Sequence, residues 1–209
     1  MYDDVQIGNL WNLGILKGTL TSEVLNLLLE LSEKAIKEDI DYSWNLVGQF
    51  YKGKEVKIDL PLEIFKPAIL EYIKKFFSDC LPTLNKNNLL LESSWIVSQY
   101  EGDYNPVHAH GSLFSGIIYL KVPNQIKQKL IYVPGPGGPH KKDCVDGCLQ
   151  FIYGNMHQPT LQNFGPRLVV PKEGDFYIFP GYLLHTVYPF KGEGERRSLS
   201  FNVNISNLE

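Results

Sequence analysis

Cysteine is scarce in this sequence. There are three in 209 residues (Cys80, Cys144 and Cys148), an odd number at spacings that form no disulfide framework. A reducing compartment suits such a chain, and the expected localisation is cytoplasmic. An excess of one charge is missing too: 20 Lys and Arg stand against 23 Asp and Glu, for a net charge of −3. The basic residues are scattered, with no stripe of the kind a phosphate backbone requires, so nucleic acid is not an expected partner. No apolar run reaches the length of a membrane span, and residues 1–4 are acidic where a secretory leader would be basic, so no membrane partner is expected either. Gly/Ser linkers, charge blocks and internal repeats are also lacking, and the one low-complexity tract is PGPGGP at 134–139. What remains is a single domain spanning 1–209, long enough to bury its own core and compatible with a homodimer.

Apolar periodicity divides the chain into a helical N-terminal part, 1–88, and a β-rich part, 89–209. Residues 5–20 form an apolar run broken by three glycines and read as strand and turn. From Ser22 the spacing of Val24, Leu27, Leu28, Leu31, Ala35 and Ile36 predicts a helix to about Lys37, with Thr21 or Ser22 as cap. Residues 45–58 are strand-like around a Lys52-Gly53-Lys54 turn. A second helix through Ile69, Tyr72, Ile73 and Phe76 is opened by Pro61 or Pro67. Strands are expected at 89–99, 113–122, 148–153, 168–171, 175–179 and 196–205. Short strands after two helices predict a mainly β (α+β) sandwich or barrel with a helical layer on one side. Trp11, Trp44 and Trp95 are expected in the core.

Two stretches carry the chemistry. In the first, QYEGDYNPVHAHGSLFSG at 99–116, His108 and His110 are one residue apart, so on an extended strand both imidazoles point to one face and can meet at a metal. In the second, GDFYIFPGYLLHTVYPFKGEGERRSLSFN at 174–202, a third histidine, His185, is followed by Arg196. Alternation puts Arg196, Ser198, Ser200 and Asn202 on one face of the last strand. Arg197, Leu199, Phe201, Val203 and Ile205 take the other. The polar face lines either a ligand cavity or water. A planar guanidinium within a cavity suits bidentate pairing with a carboxylate, and Arg196 fits that role better than Arg197. A buried arginine needs an anion, bound or built in. Residues 122–147, rich in Pro, Gly and Lys, are expected to form a lid.

Read in order, Tyr100-x7-His108-x-His110, Gly174-Asp175-x-Tyr177-x-Phe179-Pro180-x4-His185-x-Val187-x-Pro189 and Arg196-x-Ser198 resemble the Fe(II)/2-oxoglutarate-dependent oxygenases, within them the prolyl-hydroxylase-like branch. The resemblance covers roughly the C-terminal half. It implies a double-stranded β-helix, or jelly roll, with the two helices packed on one sheet. It also implies Fe(II) and 2-oxoglutarate as cofactors, hydroxylation of a peptide or small molecule, and decarboxylation of 2-oxoglutarate to succinate. His108 and His185 take the places of the proximal and distal iron ligands, Arg196 that of the residue pairing the distal carboxylate, and Ser198 and Tyr100 those of its hydroxyl neighbours.

Position 110 departs from the family pattern, since a carboxylate usually stands where this chain has His110. Three neutral imidazoles leave a metal one charge more positive. Asp103 is the rival carboxylate, five residues before His108 and out of step with its strand. Two other readings compete: a three-histidine iron dioxygenase without 2-oxoglutarate, which needs no carboxylate clamp at Arg196 and Ser198, and a non-catalytic jelly-roll binding or structural module, which predicts no tight metal. A zinc site drawn from His140, Cys144, Cys148 and His157 matches no standard spacing.

Overall fold

The computed structural model describes residues 2–10, 13–77, 85–127, 145–152 and 167–206. The apolar run at 5–20 is an antiparallel hairpin of β1 (Tyr2–Leu10) and β2 (Leu13–Leu20). Helix α1 (Ser22–Glu38) follows, burying Leu28, Ser32 and Ala35. Thr21 holds the N-cap position in extended conformation, but its side chain makes no capping bond. The helix ends where Asp39 turns left-handed (φ 52°) and donates its N–H to Ala35 O.

The strand expected at 45–58 is shorter, because only β3 (Lys54–Lys57) joins the sheet. Its N-terminal half is diverted: Gln49 and Tyr104 exchange backbone hydrogen bonds of 2.9 and 3.2 Å. The Asp103 carboxylate accepts the N–H groups of Tyr51 and Gly53 at 2.7 and 2.8 Å. Gly53 is required there, since a Cβ would lie 2.1 Å from Ser98 O. Helix α2 (Lys66–Phe77) is entered through a 3-10 turn at Leu62–Ile64, so Pro61 precedes that turn and Pro67 falls in the first turn of α2, where its missing N–H costs nothing.

The remaining elements are β4 (Leu89–Gln99), β5 (Asn105–His108), β6 (Phe114–Lys121), α3 (Asn124–Lys127), β7 (Leu149–Ile152), β8 (Arg167–Val169), β9 (Asp175–Pro180), β10 (Leu184–Val187) and β11 (Arg196–Ile205). They form a seven-stranded sheet ordered β1-β2-β9-β6-β11-β4-β3 and a four-stranded sheet ordered β5-β10-β7-β8, antiparallel throughout. This is the expected jelly roll. The N-terminal part also supplies three strands of the large sheet, besides its helices.

Two apolar clusters bracket the large sheet. On its outer face Leu28, Ala35, Phe65, Ile69, Tyr72 and Ile73 from the helical layer pack on Ile96, Ile118, Phe176, Leu199, Phe201 and Val203. On its inner face Ile117, Tyr119, Tyr177 and Phe179 meet Leu149, Phe151, Val169 and Val187 of the small sheet. Each Leu, Ile, Val or Phe among them contributes about 1.5–3 kcal/mol when fully buried. No described helix is long and apolar enough to cross a membrane.

Of the expected lid, 128–144 lies outside the described residues. Its ends are anchored, with Ile126 buried in the inner cluster and Gly147 N–H donating to Pro189 O. His140, Cys144 and His157 lie outside as well, as do Cys80 and Trp11. Trp44 corrects an expectation: it is 77% exposed, on the 3-10 turn at Ser43–Asn45 before β3.

Candidate active site

The inner face of the large sheet and the edge of the small one enclose a cavity lined by His108, His110, His185, Arg196, Ser198 and Glu55, with Trp95, Val97 and Phe179 among its walls. The histidines come from both ends of the chain's β region. His108 closes β5 and His185 lies on β10, direct partners in the antiparallel ladder. Alternation along one strand is not what aims His110, however, because β5 ends at His108. The backbone N–H of His110 donates instead to Gly181 O at 2.8 Å, tying it to the β9–β10 turn. Gly181 fits the crossing because a Cβ there would stand 2.1 Å from Ser112 O.

The three rings converge. Their centroids lie 4.2 Å (His108–His185), 5.1 Å (His108–His110) and 5.1 Å (His110–His185) apart, and one ligand atom from each falls within 4.8 Å of the others. His108 Nδ1 is 2.7 Å from Pro106 O and His185 Nδ1 2.8 Å from Leu183 O. A carbonyl only accepts, so each Nδ1 carries the proton and each Nε2 keeps its lone pair for a metal. Burial holds the imidazoles neutral. It lowers His108, and together with the neighbouring His108 it lowers His110 to about 4 and His185 to about 3. Neutral imidazoles, half-buried at His108 and His110 and buried at His185, with the tautomer fixed at His108 and His185, are what a divalent cation requires of its ligands. Trp95, 5% exposed, is buried as expected but stands in the cavity wall, stacked on Tyr42 and 5.8 Å from the His110 ring.

Arg196 is 1% exposed. Its Nη1 donates to Gln99 Oε1, and its guanidinium lies 5.2 Å from the centre of the Tyr119 ring. Nε and Nη2 form no hydrogen bond of ordinary geometry among the described residues, nor does the Tyr119 hydroxyl, although guanidinium and hydroxyl lie close enough to favour each other's charged forms. Burial pulls the arginine below its ordinary range and pushes the tyrosine up to about 12. Such orphaned donors beside a cavity call for an anion with two acceptors, and a carboxylate is one. Ser198, 1% exposed, follows on the same face. Glu55 is 2% exposed, with Oε2 unpartnered, and burial raises its carboxyl to about 7 despite a hydrogen bond from Asn105.

Tyr100 is placed differently from the expectation. It is half-buried, outside the cavity lining, with its backbone N–H on Asp103 Oδ2 at 2.9 Å. The buried tyrosine beside Arg196 is Tyr119, which faces Ser198 across the β6–β11 ladder. The signal was present in FSGIIYLK, where Ser115, Ile117 and Tyr119 alternate inward. Asp103, the rival metal carboxylate, is 0% exposed and spends both oxygens on backbone N–H groups. Arg197 points outward as alternation predicts.

Residues 93–202, more than half of the chain, match the family model described as "Putative 2OG-Fe(II) oxygenase". The chain belongs to the 2OG-Fe(II) oxygenases. It is accordingly an enzyme whose cofactors are Fe(II) and 2-oxoglutarate, and the three-histidine and orphaned-arginine cavity is chemically suited to both. Among solved structures it is similar to a prolyl-4-hydroxylase from Pseudomonas putida (15% identity, 95% of this chain and 96% of that one, TM-score 0.57). HygX from Streptomyces hygroscopicus with nickel and 2-oxoglutarate bound is also similar (14%, 92% and 83%, TM-score 0.52). So is a Trichoplax adhaerens prolyl hydroxylase in complex with a peptide fragment (14%, 91% and 82%, TM-score 0.51). At these identities the likeness speaks for the jelly roll alone. No curated protein matches the chain.

Proposed function

We propose that this oxygenase is a hydroxylase acting on a peptide or small molecule, with the roles of its residues divided between two ends of one cavity. His108, His110 and His185 hold Fe(II) through the three converging ring nitrogens. Arg196 holds the distal carboxylate of 2-oxoglutarate through Nε and Nη2, with the Tyr119 and Ser198 hydroxyls beside it. Fe(II), 2-oxoglutarate and O2 supply the oxidising chemistry when bound, yielding succinate and CO2 as the substrate is hydroxylated. The chain's own work is to keep the imidazoles unprotonated, orient the keto acid from its far end and exclude water behind Trp95, Val97 and Phe179.

One observation carries this reading: a fully buried arginine with two unpaired donors opens on the cavity that gathers the three histidines. A three-histidine dioxygenase without 2-oxoglutarate has no use for such a group, and a binding module has no use for the histidines. The test is succinate release from 2-oxoglutarate by the Fe(II)-loaded protein under O2. Release that needs iron and is lost in Arg196→Ala supports the proposal. Tight iron binding with no 2-oxoglutarate consumption, even with proline-containing peptides present, contradicts it.

A further inference from the structure

Arg196 sits at the end of a row of buried polar side chains that spans four strands, β11, β4, β5 and β3. Its Nη1 donates to Gln99 Oε1, Gln99 Nε2 donates to Asn105 Oδ1 at 2.9 Å, and Asn105 Nδ2 donates to Glu55 Oε1 at 3.5 Å. None of the four is more than 9% exposed. Strand register lays the row out: Gln99 faces Arg196 across the β4–β11 ladder, and Glu55 faces Val97, two residues earlier on the same side of β4. The direction of the row has one solution. A guanidinium only donates, so Gln99 must turn its oxygen to Arg196 and its NH2 to Asn105, and Asn105 in turn presents its NH2 to Glu55 Oε1, which accepts whether the carboxyl is ionised or protonated at Oε2. Reversing either amide sets donor against donor, and buried chains of this kind are cooperative.

We infer that Glu55 is a positioning residue for 2-oxoglutarate: by ending the row at Asn105 it fixes the Gln99 oxygen against Arg196 Nη1, which leaves the Nε and Nη2 edge of the guanidinium presented to the ligand carboxylate. This rests on Arg196 being the carboxylate clamp, as proposed above. Glu55 acts through two other side chains, and it lies outside the group of converging metal-ligand atoms. The 3.5 Å contact is the longest link, so influence on the ligand should fade along the row from Gln99 to Asn105 to Glu55.

The experiment is calorimetric titration of 2-oxoglutarate into Fe(II)-loaded protein without O2, with iron content and melting temperature recorded for every variant. Arg196→Ala should abolish or greatly weaken binding; if it binds like the parent, the clamp itself is misassigned. Given that control, Gln99→Leu should raise Kd roughly 10- to 100-fold, and Glu55→Ala or the space-filling Glu55→Met roughly three- to tenfold. Glu55→Gln, which can still offer an oxygen to Asn105, should stay within about threefold of the parent. In a Gln99→Leu background, Glu55→Met should add nothing, because the row is already cut. A Kd unchanged within about twofold in the Glu55 variant that folds, or an effect that adds fully to Gln99→Leu, overturns the inference.

Discussion

Arg196 and Arg197 are adjacent in sequence, comparably buried and opposite in circumstance. Arg197 faces the helical layer and is saturated: Glu195 takes Nε and Nη2 at 2.6 and 2.7 Å, while Nη1 meets Glu33 at 2.8 Å and Ser32 at 3.0 Å. Burial alone would lower it, but the two carboxylates more than offset that and hold it above its ordinary range. Arg196, one pleat away on the inner face, has an amide oxygen and an aromatic ring for company and two donors to spare. The outer face of β11 therefore spends its polar groups on joining sheet to helix. On the inner face Asn202 is bonded to Ser115 and Ser93, but Arg196 keeps two donors unspent, and an unspent buried charge marks a ligand site.

If the faces divide labour in this way, substitutions on them should fail differently. The largest effect is expected on the inner side: His108→Ala or His185→Ala should weaken Fe(II) binding by orders of magnitude, read by metal titration, with the fold intact by circular dichroism. Arg197→Ala should leave iron binding near the parent value while costing about 1–3 kcal/mol of stability in denaturant titration, because Glu195 and Glu33 lose the guanidinium and keep only Lys121, with Ser98 also on Glu195.

The pH dependence sharpens the contrast again. His110 and His185 are held at about 4 and 3, so above the ordinary value of about 6.5 they are neutral both folded and unfolded. As pH falls below that, the unfolded chain takes up protons that the folded metal-free protein refuses. Stability is thus lost progressively from about pH 6.5 down toward the folded values, by about 2 kcal/mol per imidazole near pH 5. A His110→Phe variant should show a shallower acid slope. The smallest effect is expected at Trp44, whose exposed ring predicts a change within about 0.5 kcal/mol on Trp44→Ala.

What was legible in the sequence follows the same division. Local periodicity was enough for α1, α2 and β4, and for the parity that separates Arg196 from Arg197, because those patterns depend only on neighbours in the chain. The spacing of His108 and His110 announced a shared target, yet β5 stops at His108, and a tertiary bond from the His110 N–H to Gly181 finishes the job that alternation was expected to do. Tyr119, the buried tyrosine beside Arg196, was not singled out because neighbours across a cavity are set by strand pairing, and β6 meets β11 across some eighty residues of sequence. Gln99, Asn105 and Glu55 carry no motif at all. They become a unit only once β3, β4, β5 and β11 stand around one cavity. Asp103 was set below His110 as out of step with its strand, but its true task was equally hidden: its neighbourhood to His108 in sequence said nothing of the backbone amides that it accepts from at 51–53.

The comparison between the two arginines is tested most directly by titrating 2-oxoglutarate, without O2, into the Fe(II)-loaded Arg196→Ala and Arg197→Ala proteins. Arg197→Ala should bind within about threefold of the parent, while Arg196→Ala should weaken binding by roughly one to three orders of magnitude, the cost of a lost buried charge-assisted pair. Equal affinity in the two variants, or a loss confined to Arg197→Ala, would contradict the assignment of the inner face of β11 to the cosubstrate.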